Sequence, residues 1–318
     1  MKTKSGNLAN VAKVVSSQRI LLILLGMFII MCILIEDFAS VGNIMTIARQ
    51  VSVYGIISVG MTFVIMTGGI DISVGSTVAL GGVVASMADL AGMPLAVSML
   101  LATLVGLVAG LVNGVLVSYG RMLPFVATLG MLNVIRAAAL IVTNGSALYG
   151  MSDAFLKVSS GYLWGVIPYP VIIMLVIFLV GGILIRHFSL GRFFLAVGGN
   201  EESARLAGVN TKMVKMLAYA ICGALSAFAG VLLAARLGTA QPSTGTGYEQ
   251  TVIASVVIGG TSLLGGTGSM IGTLWGTLIL GLVSSALNQM NVQQFYQTLV
   301  TGLIVIVAVL IDVLRKDR

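Results

Sequence analysis

The chain has 318 residues, of which 58% are hydrophobic and only 8% charged, whereas ordinary soluble domains carry roughly 25% charged residues. This composition excludes a soluble globular protein. The net charge of +7 does not indicate nucleic-acid binding, because that inference needs a basic face on a soluble domain. Cys32 and Cys222 lie in apolar runs and the single histidine, His187, has no candidate ligands beside it, so neither a disulfide nor a metal site is predicted.

Ten apolar runs approach the roughly 20 residues that a helix needs to cross a bilayer. They lie near residues 20–35, 50–67, 72–91, 94–118, 124–143, 168–186, 213–235, 249–264, 270–289 and 295–313. They predict an all-α integral membrane protein in which residues 1–318 form a single domain and residues 1–18 a cytoplasmic tail. Forty glycines fit this class, since small residues allow close helix packing in lipid.

The first unusual segment is TGGIDISVGS at residues 67–76, where glycines, serines and an aspartate interrupt an apolar run. Non-helical backbone at membrane depth must be lined by protein or water, and broken helices mark binding sites or pathways in transporters. Asp71 and Ser73 are therefore candidates for translocation or gating. The alternative is that they only cap the helix that follows.

Four further polar side chains lie inside apolar runs and are pathway candidates. Asn133 and Arg136 are three residues apart and share a helix face, which we interpret as an inward face that can hydrogen-bond hydroxyl groups. The alternative for Arg136 is a structural role in which it reaches toward the outer surface. Asn113 and Asn288 are candidates because each is a single amide in an apolar run.

A polar segment at residues 187–212 contains a predicted helix of about two turns over residues 201–207. Asn200 is a good N-cap residue and Gly208 a good terminator. Acidic side chains suit the positive end of this helix, and apolar side chains offer contacts; these residues are Glu201, Glu202, Ala204 and Leu206. The helix is either an ordinary solvated loop helix or the contact for a partner.

A second glycine-rich segment, IGGTSLLGGTGS at residues 258–269, resembles the first. Gly69 and Gly75 are six residues apart, as are Gly260 and Gly266. The recurrence predicts two related halves, each with a broken helix. Neither segment has the lysine of a phosphate-binding loop, so the chain is not expected to bind ATP.

The distribution of basic residues predicts the orientation of the chain in the membrane. With a cytoplasmic N-terminus and ten crossings, 13 of the 17 Lys and Arg residues fall on the cytoplasmic side, and both termini are cytoplasmic. The residues that do not follow this pattern are Arg49, Arg136, Lys157 and Arg236.

Four segments, TGGIDISVGS, GRFFLAVGGNEESARLAGVN, ARLGTAQPSTGTGYE and VVIGGTSLLGGTGSMIGTL, together resemble the inner-membrane permeases of bacterial ABC importers for monosaccharides, the ribose permease type. The resemblance extends from about Val41 to Asp312. It implies about ten transmembrane helices, a second permease subunit expected to be identical, a cytoplasmic ABC ATPase and a periplasmic sugar-binding protein. It also implies that the chain is not an enzyme and binds no cofactor, because ATP and Mg²⁺ belong to the ATPase.

The resemblance also assigns roles to particular residues. It implies an ATPase-coupling role for Gly198, Gly199, Asn200, Glu201, Glu202, Ala204, Arg205, Leu206 and Gly208. On the outer side, Lys157 and Arg236 become candidates for docking the binding protein, although basic residues at helix ends also act as headgroup anchors.

The resemblance suggests ribose first as the substrate, and it leaves galactose, xylose, arabinose and autoinducer-type pentose derivatives as alternatives. The rival interpretation is an ion-coupled secondary transporter that uses Asp71 and no ATPase. An intramembrane enzyme would need a nucleophile and a base, or metal ligands, at helical spacing, and the sequence offers none.

Overall fold

The computed structural model describes residues 19–316, and the predicted tail at residues 1–18 lies outside the described residues. Thirteen α-helices and one β-hairpin follow one another along the described part of the chain. They are α1 Arg19–Leu34, α2 Val41–Met66, α3 Val74–Leu90, α4 Leu95–Ser118, α5 Pro124–Val142, α6 Asp153–Ser160, β1 Tyr162–Leu163, β2 Ile167–Pro168, α7 Tyr169–His187, α8 Ser189–Gly199, α9 Glu201–Leu206, α10 Thr211–Leu237, α11 Tyr248–Ile258, α12 Met270–Gln289 and α13 Gln294–Lys316.

Each of the ten predicted apolar runs contains a helix, so the prediction of an all-α membrane protein is confirmed. Six helices are long and apolar enough to cross a membrane, namely α2, α4, α5, α7, α10 and α12. The apolar stretches of α1, α3, α11 and α13 are shorter. The count of ten crossings therefore stays a prediction.

Helix α2 begins nine residues earlier than the apolar run at residues 50–67 predicted. Ser40 caps it, since its hydroxyl oxygen accepts the Asn43 N–H at 3.3 Å. The polar side chains of this first part also find partners: the Asn43 amide donates to Phe38 O at 2.7 Å, and Gln50 donates to the Ser284 hydroxyl at 3.3 Å. Hydropathy alone missed these turns because polar side chains lower the local hydropathy, although in the bundle they are paired.

Helix α10 lies at the centre of the bundle and packs most extensively on α4, then on α3 and α2. The α4 contact is a close approach of two backbones. A Cβ atom on Gly223 of α10 would collide with the backbone of Gly106 and Gly110 of α4. Small residues at such contacts are typical of helices that pack in lipid.

The outer helices expose apolar side chains, while the inner ones are buried. Leu100 of α4 is 58% exposed, Ile141 of α5 73% and Leu179 of α7 63%, whereas α2 is buried over most of its length. Apolar side chains directed outward from a helical bundle suit a lipid environment. The molecule is thus a multi-pass membrane protein.

The stretch between α5 and α7 is folded. It contains α6 and the β1–β2 hairpin, in which Tyr162 pairs with Pro168 and Leu163 with Ile167 in antiparallel register. Asp89 at the end of α3 holds this segment, because its carboxylate accepts hydrogen bonds at 2.7 Å from both the N–H and the hydroxyl of Ser152. We refer to this end of the bundle as the α6 end and to the opposite end as the α9 end.

Candidate functional site

The first glycine-rich segment breaks the helix as predicted. Helix α2 ends at Met66, and Gly68 takes a left-handed conformation with φ +77°. The N–H groups of Gly68 and Gly69 donate back to the carbonyls of Ile65 and Val64, at 2.9 and 3.1 Å. This pair of bonds is a Schellman motif, which satisfies the last free carbonyls of a helix and turns the chain away from its axis.

The second glycine-rich segment repeats this closure. Helix α11 ends at Ile258, so it is shorter than the run predicted at residues 249–264, and Gly260 has φ +86°. The N–H groups of Gly260 and Thr261 donate to the carbonyls of Val257 and Val256, at 2.8 and 3.2 Å. The prediction of two broken helices is therefore confirmed.

The register between the two breaks differs by one residue from the sequence comparison. Glycine spacing paired Gly69 with Gly260, whereas the backbone pairs Gly68 with Gly260, because these two residues take the left-handed position of the same motif. Only the backbone conformation distinguishes the glycine that the turn requires from its glycine neighbour.

Three of the predicted pathway residues come together beside the first break. Asp71 is buried, and its Oδ1 accepts hydrogen bonds from the N–H of Ser73 at 2.9 Å and from the Ser73 hydroxyl at 2.6 Å. The Asn113 amide of α4 donates to the Asp71 carboxylate at 3.2 Å and to the Ser73 hydroxyl oxygen at 2.8 Å. The cluster therefore joins the start of α3 to the middle of α4.

The predicted capping role is met only in part. Ser73 occupies the N-cap position of α3, but its side chain makes no capping bond; Asp71 accepts the Ser73 N–H instead. Within residues 19–316, Asp71 forms no ion pair.

Tyr219 of α10 closes the cluster from another side, since its hydroxyl donates to Ile70 O at 3.3 Å. Sequence reasoning missed Tyr219 because one tyrosine in an apolar helix carries no pattern.

The short helix predicted at residues 201–207 is confirmed as α9, Glu201–Leu206. The Asn200 side chain accepts the Ser203 N–H at 2.8 Å, and Gly208 ends the turn with φ +87°. Ala204 is buried against the bundle, whereas Leu206 is 78% exposed. An exposed leucine on a charged helix is an apolar surface that no residue between 19 and 316 covers.

Two ion pairs fix the charged face of α9. Arg205 pairs with Glu202 at 2.6 Å, and its hydrogen bonds hold the pKa of the Glu202 carboxyl below its ordinary value. Lys215 of α10 pairs with Glu201 and so ties α9 to the bundle. Between these residues and the α4–α5 loop lies a cavity of about 540 Å³, which Arg121 and Lys212 also line.

Helix α8, which lies within the polar segment predicted at residues 187–212, contacts both breaks through its last turn. A Cβ atom on Gly198, in its last turn, would overlap the carbonyl oxygen of Met66 and the nitrogen of Gly266. The Gly266 N–H itself donates to Met66 O at 3.0 Å. We call this meeting point of Met66, Gly198, Gly265 and Gly266 the glycine junction. Helix α9 begins at Glu201, three residues after Gly198, so it follows the glycine junction directly along the chain.

The remaining pathway candidates do not join the Asp71 cluster. Arg136 is half-buried, and its guanidinium donates to the carbonyls of Pro242 and Thr244 at 2.5 and 2.8 Å, so it has the structural role weighed above. Asn133 is exposed and donates to Leu129 O of its own helix. The prediction that Asn133 faces inward is wrong, since its side chain is exposed and its amide bonds to its own helix, while only the longer Arg136 side chain reaches the loop.

The two docking candidates lie at the α6 end. Lys157 is exposed on α6. Arg236 is half-buried at the end of α10, close to Tyr54 and Tyr248, whose ring centroids are 4.6 Å apart. Within residues 19–316 neither cation forms an ion pair. Both charges could therefore attract an acidic partner, but only Lys157 is exposed.

The chain is a bundle of apolar helices with two broken segments at one end. An exposed charged helix follows the last turn of α8, which contacts both segments. This is the architecture of a membrane permease. Residues 43–309 match the family model described as branched-chain amino acid transport system / permease component. The chain belongs to this family of transport permeases.

Curated relatives agree with the resemblance seen in the motifs. The chain is 39% identical over 316 residues to the ribose import permease protein RbsC of Haemophilus influenzae, covering 98% of this chain and 97% of that protein. It is 41% identical over 303 residues to RbsC of Escherichia coli K12, with 93% of each chain covered. The L-arabinose ABC transporter permease protein AraH of Azospirillum brasilense is 37% identical over 306 residues, with 96% and 90% covered. No solved structure matches the chain.

Proposed function

We propose that the chain is the permease subunit of an ATP-driven importer for a monosaccharide, with ribose as the first substrate to test. The family description mentions amino acids, but the relatives that match along almost the whole chain are named for ribose and for L-arabinose. The proposal includes a cytoplasmic ABC ATPase, a periplasmic sugar-binding protein, a second permease subunit and cytoplasmic termini.

The observation that carries the proposal is the position of α9. Its exposed Leu206 and its ion-paired charges form a contact surface, and the glycine junction joins this surface to the ends of α2 and α11. Packed elements with two discrete arrangements convert a local shift into a larger rearrangement. A movement of the ATPase against α9 would thus shift the chain at both breaks and rearrange the helices that they join.

At the α6 end the loaded binding protein would release its sugar into the permease. Because the binding protein supplies the affinity, the permease needs a path that binds weakly enough to let the sugar leave. Uncharged hydroxyl and amide groups provide such a path, and the polar side chains of α12 are all of this kind.

The test is uptake by proteoliposomes that contain the chain with its cognate ATPase inside and the binding protein outside. We expect accumulation of labelled ribose that needs ATP and all three proteins. L-arabinose and L-leucine in the same assay distinguish a pentose importer from an amino acid importer. Uptake by the chain alone, driven by an ion gradient and lost in Asp71→Asn, would overturn the proposal in favour of an ion-coupled transporter.

A further inference from the structure

A cavity of about 160 Å³ lies at the α6 end, apart from both the Asp71 cluster and the glycine junction. The starts of α11 and α13, the end of α12 and Tyr54 of α2 form its walls. Helix α11 runs from this cavity toward the second break, so the cavity lies on the side from which an imported molecule would arrive. A cavity of about 150 Å³ holds a six-membered ring such as benzene, and a monosaccharide ring is of that size.

The lining of this cavity is largely polar, and none of the described residues in it carries a charge. Its polar groups are amides and hydroxyls, among them those of Ser284, Gln250, Thr251, Gln294, Gln297 and Thr298. Amide and hydroxyl groups both donate and accept hydrogen bonds, which matches the hydroxyl groups of a sugar. An amino acid zwitterion would instead leave two charges without partners, and unpaired charges away from water are costly.

Two of the polar groups are held in place by residues behind them. The Gln297 amide donates to the Asn288 side chain and to Val292 O, each at 2.9 Å. Ser284 accepts a hydrogen bond from Gln50 at 3.3 Å. Asn288, a pathway candidate in the sequence, therefore acts as a positioning residue for Gln297. Groups fixed before the ligand arrives lose less freedom on binding.

We propose that this cavity binds a neutral monosaccharide on its way into the permease. The choice of a sugar as ligand rests on the proposed function and on the uncharged lining. The tyrosine rings of Tyr54 and Tyr248, 4.6 Å apart between centroids, give the cavity an apolar wall for the carbon-bound hydrogens of a sugar ring. The open side is lined by the exposed amides of Gln250 and Gln294.

Cysteine protection in the purified full chain tests the cavity without any transport. The Thr298→Cys variant, whose residue is exposed at the cavity wall, is labelled with a water-soluble maleimide while D-ribose is titrated. Gln293→Cys, just before the start of α13 and outside the lining, is the control, and the unmodified chain gives the background of Cys32 and Cys222. We expect ribose to slow labelling of Thr298→Cys severalfold, and L-leucine to leave it unchanged.

The second arm asks whether the amides hold the sugar. In the Thr298→Cys background, the double change Gln250→Leu and Gln294→Leu should raise the ribose concentration for half protection by about fivefold or more, since it removes two hydrogen-bonding groups. The matched pair Gln241→Leu and Gln293→Leu, at the same end of the bundle, should leave it unchanged.

The outcomes separate this inference from the proposed function. Ribose uptake without any protection would overturn the cavity and leave the importer proposal standing. Protection without ATP-dependent uptake would support the cavity and overturn the importer proposal. Equal protection by L-leucine, or protection that survives the Gln250 and Gln294 changes, would overturn the assignment of this cavity to a neutral sugar.

Discussion

Asp71 is a buried carboxylate whose hydrogen-bond partners all come from neutral groups. The donors are the N–H and hydroxyl of Ser73 and the amide of Asn113. Removing one member of such a group leaves the others buried without partners, which costs about 1–3 kcal/mol for each unsatisfied group. The cluster thus fixes the start of α3 against α4, next to a break that must move if the importer proposal holds.

We predict that Asp71→Ala lowers ribose uptake more than it lowers the amount of folded protein. Alanine removes both acceptor oxygens, so Ser73 and Asn113 lose their partner and the break loses its register. Asp71→Asn keeps one oxygen for the Ser73 N–H, and we expect it to retain most of the uptake. The measurement is initial uptake normalised to purified protein, with Tm from the same preparations.

The Asn113→Ala change is the control for this prediction. If Asp71 acts through Asn113, the double variant should be little worse than either single variant, because residues in one network are not additive. Loss of uptake in Asp71→Asn as complete as in Asp71→Ala would contradict the capping geometry and indicate that the charge itself is required.

The sequence predicted some site residues and missed others, depending on how much each one differs from its neighbours in the chain. Asp71, Ser73 and Asn113 stand out because each is polar in an apolar run, and the structure brings them within hydrogen-bond distance. Asn133 stands out for the same reason but is exposed. A polar residue in an apolar run shows that its environment is unusual, yet only the fold shows which element it faces.

At the scale of elements, the glycine junction is the feature that connects the contact surface of α9 to the breaks. Its residues come from the end of α2, the last turn of α8 and the loop after α11. Sequence patterns identified both breaks and the α9 helix, because capping residues and glycine runs are local signals. They did not identify the junction, because close contact between distant backbones leaves no periodic trace.

We predict that Gly198→Ala destabilises the protein and lowers uptake, although alanine is usually the better helix former by about 1 kcal/mol. The added methyl group would overlap Met66 O and Gly266 N, so the junction must open. Gly199→Ala is the matched control: its Cβ atom would lie 3.9 Å from Gly266, an ordinary contact. Tm measurements on both variants check this. Equal Tm values would show that the junction is not tightly packed.

We predict that Leu206→Asp weakens association with the ATPase and leaves the permease folded. Leu206 is 78% exposed, so the change disturbs no internal packing, while a carboxylate opposes burial against a partner. Co-purification of the ATPase from membranes, with Tm of the isolated permease, measures both effects. The neighbouring change Arg205→Glu should also weaken association, since it places like charges beside Glu202. Full co-purification of both variants would contradict the coupling role of α9.

At the scale of the whole molecule, the two ends of the bundle differ in character. The α9 end carries charged side chains on an exposed helix, while the α6 end carries the folded segment of α6, the hairpin and the uncharged cavity. The basic residues predicted this difference only in part. Of the four exceptions to the positive-inside pattern, Arg136 holds a loop and Arg236 is half-buried beside tyrosines, so charge counting overstated the exposed cations at this end.

We predict that Lys157→Glu slows docking of the sugar-binding protein and leaves maximal transport nearly unchanged. Lys157 is exposed on α6 at the end where the binding protein is expected to dock, and charges at the rim of an interface act mainly on the association rate. Arg236→Gln should have a smaller effect, because Arg236 is already half-buried.

The control is Arg192→Glu, which makes the same charge change on α8 at the opposite end. Association rates measured across a salt series should differ most at low salt, where screening is weakest. A Lys157→Glu rate equal to that of Arg192→Glu at low salt would show that Lys157 only anchors α6 at the membrane surface.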